Sequence, residues 1–325
     1  MLTHLAACGT VPTIREGFTN DRAGEWRASL PRFGDAITAS GLYQDYVRHY
    51  GLPVAQGHAI GYVDVDGYRI AVQRFGPEKA GKTVVFAHGY LVHSALHGDF
   101  IERLLDKGFT VYAYDLPGHG LSAGRRGDIY SFQDYAGILE YVASKLPPES
   151  ANVTVVAHST SAAATIEALR NRRALADHII LGAPLVRPRF WWFALMGDYF
   201  TGWAKPIFGR MYRKSTSNQD YLDFTRYRDP LLVRTSPMTW VRALIAWEAS
   251  LADYPLLSNP ILILQGTRDR VVQTQHNIEF LEDHFTKAQV IRIPGARHEL
   301  FVEPDHLLSQ IVEAIQDYTT PQRNP

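Results

Sequence analysis

The sequence predicts an α/β fold, with a mostly parallel central sheet, helices on both faces, and an inserted segment. Three observations carry this. From about residue 56 onward, short apolar and β-branched runs alternate with segments of helical spacing, and strands buried on both faces read as such runs. An Asp66-Gly67 turn joins the first two alternating strands, as in an antiparallel hairpin. Between residues 185 and 252 the rhythm stops.

Taken in order, residues 1–55 show no sustained periodicity apart from a helix expected within DAITASGLYQDYVRHYGL. GYVDVDGYRIAVQRF then alternates about its turn, and KTVVFAHG is a β-branched run ending in glycine. GDFIERLLDKG is amphipathic, and FTVYAYDLPGHG is another apolar run. SFQDYAGILEYVASKL has helical spacing with Ser131 as N-cap. NVTVVAHS, the helical TSAAATIEALRNRRAL and HIILGAP follow. Past the insertion come PILILQGTRD, a helix near TQHNIEFLEDHF, then AQVIRIPGARHE and the closing helix DHLLSQIVEAIQDY.

Composition narrows the classes of function. With 46% hydrophobic residues the chain can build a large core, and 33 basic against 33 acidic residues give no hint of a nucleic-acid partner. No apolar run approaches the length of roughly 20 residues that spans a bilayer. The single cysteine, Cys8, excludes an intrachain disulfide and a cysteine-rich metal site. It ends LAAC, which resembles the close of a bacterial lipoprotein signal, although only seven residues precede it. The sequence as given reads as cytoplasmic, the alternative being an envelope lipoprotein anchored at Cys8 with its start upstream.

The insertion is strongly aromatic, carrying Phe190, Trp191, Trp192, Phe193, Tyr199, Phe200, Trp203, Phe208 and Tyr212 within 23 positions. Either it packs on the domain, or it covers an apolar substrate pocket as a lid; both can hold together.

In an open parallel sheet, functional groups gather at the carboxyl ends of the strands. Those ends here carry His88-Gly89-Tyr90, Asp115, Ser159, Asp269 and His298. A serine, a carboxylate and a histidine therefore occur in that chain order. A serine hydroxyl needs a histidine to take its proton, and a carboxylate to hold that histidine's tautomer and stabilise the imidazolium.

FAHGYLVHS, YDLPGHGLSAG, VVAHSTSAA, RDPL, LILQGTRDRVV and IPGARHELFVE occur in this order between about residues 60 and 318. With these pieces the chain resembles the α/β-hydrolases, and more narrowly their lysophospholipase and monoacylglycerol-lipase branch, grouped with the serine aminopeptidase-like (S33) hydrolases. The resemblance implies Ser159 as nucleophile, Asp269 as triad acid and His298 as base. It implies an oxyanion hole from the backbone N–H groups of Tyr90 and Thr160. It also implies a core over 56–184 and 253–318, an N-terminal extension over 1–55, a lid over 185–252 and a short tail over 319–325.

Rival readings accompany each residue. Ser161 is a second serine close by, but the strand leads into His158-Ser159 and leaves Ser161 in the first helical turn. Asp115 is a loop organiser in the resembled family, where His93 braces the oxyanion loop; His119 and His158 read as structural. The 13 histidines contain no HExxH spacing, so no metal or other cofactor is expected. The glycines usual around such a serine are replaced by Ala157 and Ser161, both small enough for a tight turn.

The expected activity is hydrolysis of carboxylic esters of the lysophospholipid or monoacylglycerol type. A small-molecule acyl ester is thus the expected partner, and the oligomeric state is open. Trp191, Trp192 and Trp203 are candidates for contact with a lipid interface. Arg187, Arg189, Lys205, Arg210, Arg213 and Lys214 either meet lipid phosphates or form an ordinary solvated rim. A peptidase or amidase on the same fold, and a non-catalytic binding protein, are the alternatives.

Overall fold

A computed structural model describes residues 22–320, apart from 38–39, 79–80, 148–149, 151, 172–174, 202–206 and 211–213. Cys8, Trp203, Lys205, Tyr212 and Arg213 lie outside the described residues.

Ten strands are present among the described residues: β1 (His58–Val65), β2 (Tyr68–Phe75), β3 (Thr83–Ala87), β4 (Thr110–Tyr114), β5 (Val153–His158), β6 (His178–Gly182), β7 (Ile207–Gly209), β8 (Thr235–Pro237), β9 (Leu257–Gly266) and β10 (Phe285–Ile293). Eight of them make one sheet in the order β1-β2-β4-β3-β5-β6-β9-β10. β1 and β4 run antiparallel to β2, and the other neighbours are parallel. Asp66 (φ 47°) and Gly67 (φ 83°) both take the left-handed region, as a two-residue hairpin turn requires.

The helices are α1 (Arg22–Ala28), α2 (Ser40–Tyr50), α3 (Gly98–Asp106), α4 (Phe132–Ser144), α5 (Thr160–Asn171), α6 (Trp191–Thr201), α7 (Gln219–Tyr227), α8 (Met238–Ser250), α9 (Thr274–His284) and α10 (Asp305–Thr319). Successive side chains on a strand point to opposite faces, and the core divides accordingly. Val85 and Val155 join a cluster with side chains of α4, α5, α8 and α9. Val84, Phe86 and Val156 join another with α1, α2, α3 and α10. Phe86 is fully buried among Phe100, Phe301 and His97, so Phe86→Ala would cost about 3–5 kcal/mol. Ser131 caps α4 as read, accepting from Gln133 N at 3.1 Å.

α1 was not apparent in the sequence. Its Trp26 is buried edge-on against Tyr46 of α2 at 5.4 Å and donates to Asp45 at 3.2 Å.

Segment 185–252 has two characters. α8 belongs to the core: Trp247 stacks on Phe132 at 5.1 Å and donates to Glu167 at 3.0 Å. α6 buries Trp191 but exposes Trp192, Phe193 and Tyr199. Among the described residues, no helix is long and apolar enough to cross a membrane.

Candidate active site

β5 ends at His158, and the chain turns at Ser159 into α5. Ser159 has φ 49°, a left-handed conformation costing a non-glycine residue about 1–2 kcal/mol. Three backbone hydrogen bonds hold it: its N–H donates to Gly182 at 2.9 Å, and its carbonyl accepts from Ala163 at 3.2 Å and Leu185 at 3.3 Å. The two residues in place of glycines fit closely. Ala157 is fully buried between its register partners Ala87 and Leu181. Ser161 donates its hydroxyl to the His88 carbonyl at 2.5 Å, tying the first turn of α5 to the loop after β3. Its proton is thereby engaged away from His298.

Asp269 lies in the turn after β9, and His298 in the loop after β10. His298 Nδ1 is 2.8 Å from Asp269 Oδ2, and His298 Nε2 is 3.0 Å from Ser159 Oγ. A carboxylate only accepts, so Nδ1 carries the proton and Nε2 is left to accept from the serine hydroxyl. Asp269 also accepts from Val271 N at 2.7 Å, Val272 N at 3.3 Å and Gln265 Nε2 at 3.0 Å. Burial pushes the Asp269 carboxyl up, but the His298 charge and these hydrogen bonds outweigh it and bring it down to about 2. Burial pulls the His298 imidazole down, yet the charge and hydrogen bond of Asp269, helped by Glu299, raise it above its ordinary value. The arrangement can pass a proton from Ser159 Oγ to His298 and stabilise the imidazolium.

The loop after β3 faces this serine. Gly89 is required there, since a β-carbon would sit 2.6 Å from His158 Nδ1. Leu91 takes a positive φ of 66° and donates its N–H to His119 Nε2 at 3.1 Å, while His119 Nδ1 donates to Pro117 O at 2.8 Å. Asp115 spends its carboxylate on the neighbouring loops. Its carboxylate accepts from Ser94 N and Oγ (2.8 and 2.7 Å) and from Leu121 N (2.8 Å), stitching two loops together. His158 donates to the His298 carbonyl at 2.9 Å, supporting the loop that carries it. His93 meets Asp229 at 3.0 Å. That pairing lies across 136 positions of sequence.

Ser159, Thr160, Tyr90 and His298 all line one cavity of about 610 Å³. Its lining mixes apolar side chains, among them Leu185, Phe190, Trp240 and Val271, with polar ones, among them Arg210, Tyr221, Asp223 and Glu299. Tyr90 is fixed on the wall, its hydroxyl donating to Gly127 O at 2.7 Å and its ring stacked on Trp240 at 3.8 Å. Tyr221 and Glu299 were not singled out from sequence, because nothing local marks a polar residue as facing a cavity. Among the described residues, no cluster of three or more histidine, cysteine or acidic side chains is placed to hold a metal ion.

The chain is 26% identical over 271 residues to a monoglyceride lipase homolog of Monkeypox virus, covering 78% of this chain and 95% of that protein. To lysophospholipase L2 of Escherichia coli (strain K12) it is 25% identical over 298 residues, covering 81% and 88%. Its fold matches a soluble variant of monoglyceride lipase from Saccharomyces cerevisiae, solved with a substrate analog. The TM-score is 0.69 at 17% identity, over 81% of this chain and 95% of that one. The family model described as serine aminopeptidase, S33 matches residues 78–305. With that match over most of its length and an eight-stranded, mostly parallel sheet beneath it, the chain belongs to the serine aminopeptidase S33 family of α/β-hydrolases.

Proposed function

We propose that this protein hydrolyses acyl esters of lipids, of the monoacylglycerol or lysophospholipid type, through an acyl-enzyme on Ser159. The observation that carries the reading is the hydrogen-bonded chain Ser159–His298–Asp269, at 3.0 and 2.8 Å, on the wall of a partly apolar cavity. The names of the relatives, monoglyceride lipase and lysophospholipase, support the same chemistry.

His298 takes the Ser159 proton as Oγ attacks the acyl carbon, and Asp269 steadies the resulting imidazolium. The backbone N–H groups of Tyr90 and Thr160 receive the developing oxyanion, each worth about 3 kcal/mol to the transition state. His298 then protonates the leaving alcohol and activates the water that releases the acid. The apolar wall takes the acyl chain, which gains about 0.8 kcal/mol per buried methylene. Segment 185–252 serves as the cap, contributing Phe190, Phe208 and Trp240 to that wall. The exposed aromatics of α6 serve as its contact with a lipid surface.

A series of p-nitrophenyl esters of increasing chain length tests the reading. Turnover should rise with chain length over the first several methylenes and fall by at least about 10⁴-fold in Ser159→Ala. Undiminished turnover in that variant would remove Ser159 from the chemistry. Aminopeptidase activity without ester turnover would favour the peptidase alternative; the cavity wall does not, since it presents Arg189, Arg210, Lys214 and Arg226 against Asp223 and Glu299, a poor setting for a substrate ammonium.

A further inference from the structure

Two buried groups lining the cavity stand outside the Ser159–His298–Asp269 chain and have side-chain atoms without a partner among the described residues. Glu299 directly follows His298, is 6% exposed and lines the cavity. Its backbone N–H is spent on Ser215 O at 2.9 Å, but its Oε2 has no hydrogen-bond donor among the described residues. The neighbouring His158 cannot supply one. Its Nε2 donates to the His298 carbonyl at 2.9 Å, and its Nδ1 lies 3.7 Å from Glu299 Oε2, beyond hydrogen-bond distance. Burial holds that imidazole below its ordinary range, against the pull of Glu299.

Tyr221 of α7 lines the same cavity, is 9% exposed, and its hydroxyl likewise has no partner among the described residues. Burial first, and the Glu299 charge second, push its phenol well up, so it remains a donor. Both groups are held in place. Glu303, on the base loop, accepts from Thr216 Oγ1 at 2.9 Å and Ser217 N at 2.7 Å. Asn218 then caps α7 through Tyr221 N at 3.1 Å. A buried acceptor and a buried donor left unpaired cost stability unless something else pairs them.

We infer that Glu299 and Tyr221 form a subsite that reads a free hydroxyl on the alcohol side of the ester, Glu299 accepting from it and Tyr221 donating to it. This rests on the ester-hydrolase reading above. The alcohol side follows from His298, which hands its proton to the leaving alcohol: the Glu299 carboxylate lies close enough to that imidazole for its charge to help raise it. A hydroxyl suits the pair because it donates and accepts at once. An ammonium would meet Arg210, Lys214 and Arg226 lining the same cavity, and a phosphate would meet the carboxylate.

The test compares monodecanoylglycerol with propyl decanoate, which share the acyl chain and the three-carbon alcohol and differ in the hydroxyls. kcat and KM are measured for both in the same micelles with the wild type, Glu299→Gln and Tyr221→Phe, and melting curves check the fold of each variant. The wild type should prefer the glycerol ester. Glu299→Gln should cut the ratio of the two kcat/KM values about tenfold or more, mainly through KM, and Tyr221→Phe several-fold. A ratio unchanged in both variants overturns the subsite, whatever loss the two esters share. That result would leave the ester-hydrolase reading intact. Wild-type protein inactive on both esters, or ester turnover surviving Ser159→Ala, would overturn that reading and the subsite with it.

Discussion

Two buried histidine–aspartate pairs occur in this molecule, and they are nearly alike. His298 meets Asp269 at 2.8 Å, and His93 meets Asp229 at 3.0 Å. Each carboxylate also accepts a backbone N–H from two residues ahead, Val271 at 2.7 Å and Leu231 at 2.9 Å. In each, burial opposes the charge and is outweighed by the histidine and the hydrogen bonds, so the carboxyl lies below its ordinary value. The difference lies beyond the pair. His298 turns its other nitrogen to Ser159 on a cavity wall. His93 packs edge-on against Tyr50 at 5.1 Å, and Asp229 accepts the Tyr50 hydroxyl at 2.8 Å. An imidazole–carboxylate contact is thus a fastening until a nucleophile and open space stand next to it. One pair reaches a serine on a cavity wall, and the other joins α2, the loop after β3 and the segment at 229.

Breaking the first pair should give the largest effect. Asp269→Asn puts an amide where only an acceptor serves, so His298 can settle in the wrong tautomer, and kcat should fall by about 10³–10⁴-fold with little change in fold. The pH profile carries a second signature. In the wild type, Asp269 raises His298 above its ordinary 6.5. His298 must be neutral to act as base, so kcat/KM should rise with pH through a midpoint above 6.5. Asp269→Asn removes the main raising influence, and the residual activity should rise through a lower midpoint. A wild-type midpoint below 6.5 would mean that burial, not the carboxylate, governs this imidazole.

The second pair should break differently. Asp229→Asn leaves His93 without its charged partner in a buried site, at a cost of about 3–5 kcal/mol. In a chain of this size that lowers Tm by roughly 5–10 °C, while kcat/KM of the folded fraction should fall no more than about tenfold. The sign with pH follows from the lowered carboxyl. The pair's contribution is present above the unfolded carboxyl's ordinary value near 3.8 and is lost as pH falls through the lower folded value. Wild type and variant should therefore differ in stability at neutral pH and converge in strong acid. A loss of kcat as large as that of Asp269→Asn, at unchanged Tm, would put His93–Asp229 in the reaction and end the distinction.

The difference between the pairs also marks how far the sequence could be read. Ser159, Asp269 and His298 were legible because strand ends can be located from periodicity, and the three residue types stand there in order. Ser131 and Asp66-Gly67 were legible because caps and tight turns are local. The partner of His93 was not, since 136 residues separate it from Asp229 and no short motif records the contact. α1, with seven residues, is too short to display a period. Ser161 was readable as small, but that its hydroxyl fastens the turn to His88 depends on a loop 73 positions away. Aromatic density marked segment 185–252 as unusual, yet composition does not say which rings turn inward. Trp247 is buried in α8, and Trp192 of α6 is 53% exposed.

That exposed face belongs to neither pair, which makes it the control for both. Trp192 stacks on Phe193 at 3.6 Å, and both rings stand largely in solvent, as does Tyr199 at 83% exposure. Replacing Trp192 and Phe193 together by alanine removes apolar surface that packs on little else, so stability should change by no more than about 0.5 kcal/mol per site. Turnover of a short, fully dissolved p-nitrophenyl ester should stay within about twofold, because neither the Ser159 chain nor the Tyr50 junction touches these rings. Cosedimentation with phosphatidylcholine vesicles should weaken several-fold if α6 rests on the lipid surface, since each aromatic buried in an interface adds to partitioning. Unchanged vesicle binding would remove the lipid contact. A large fall in turnover of the dissolved ester would mean that α6 reaches the Ser159–His298–Asp269 chain, and that the first His–Asp pair and its serine do not act alone.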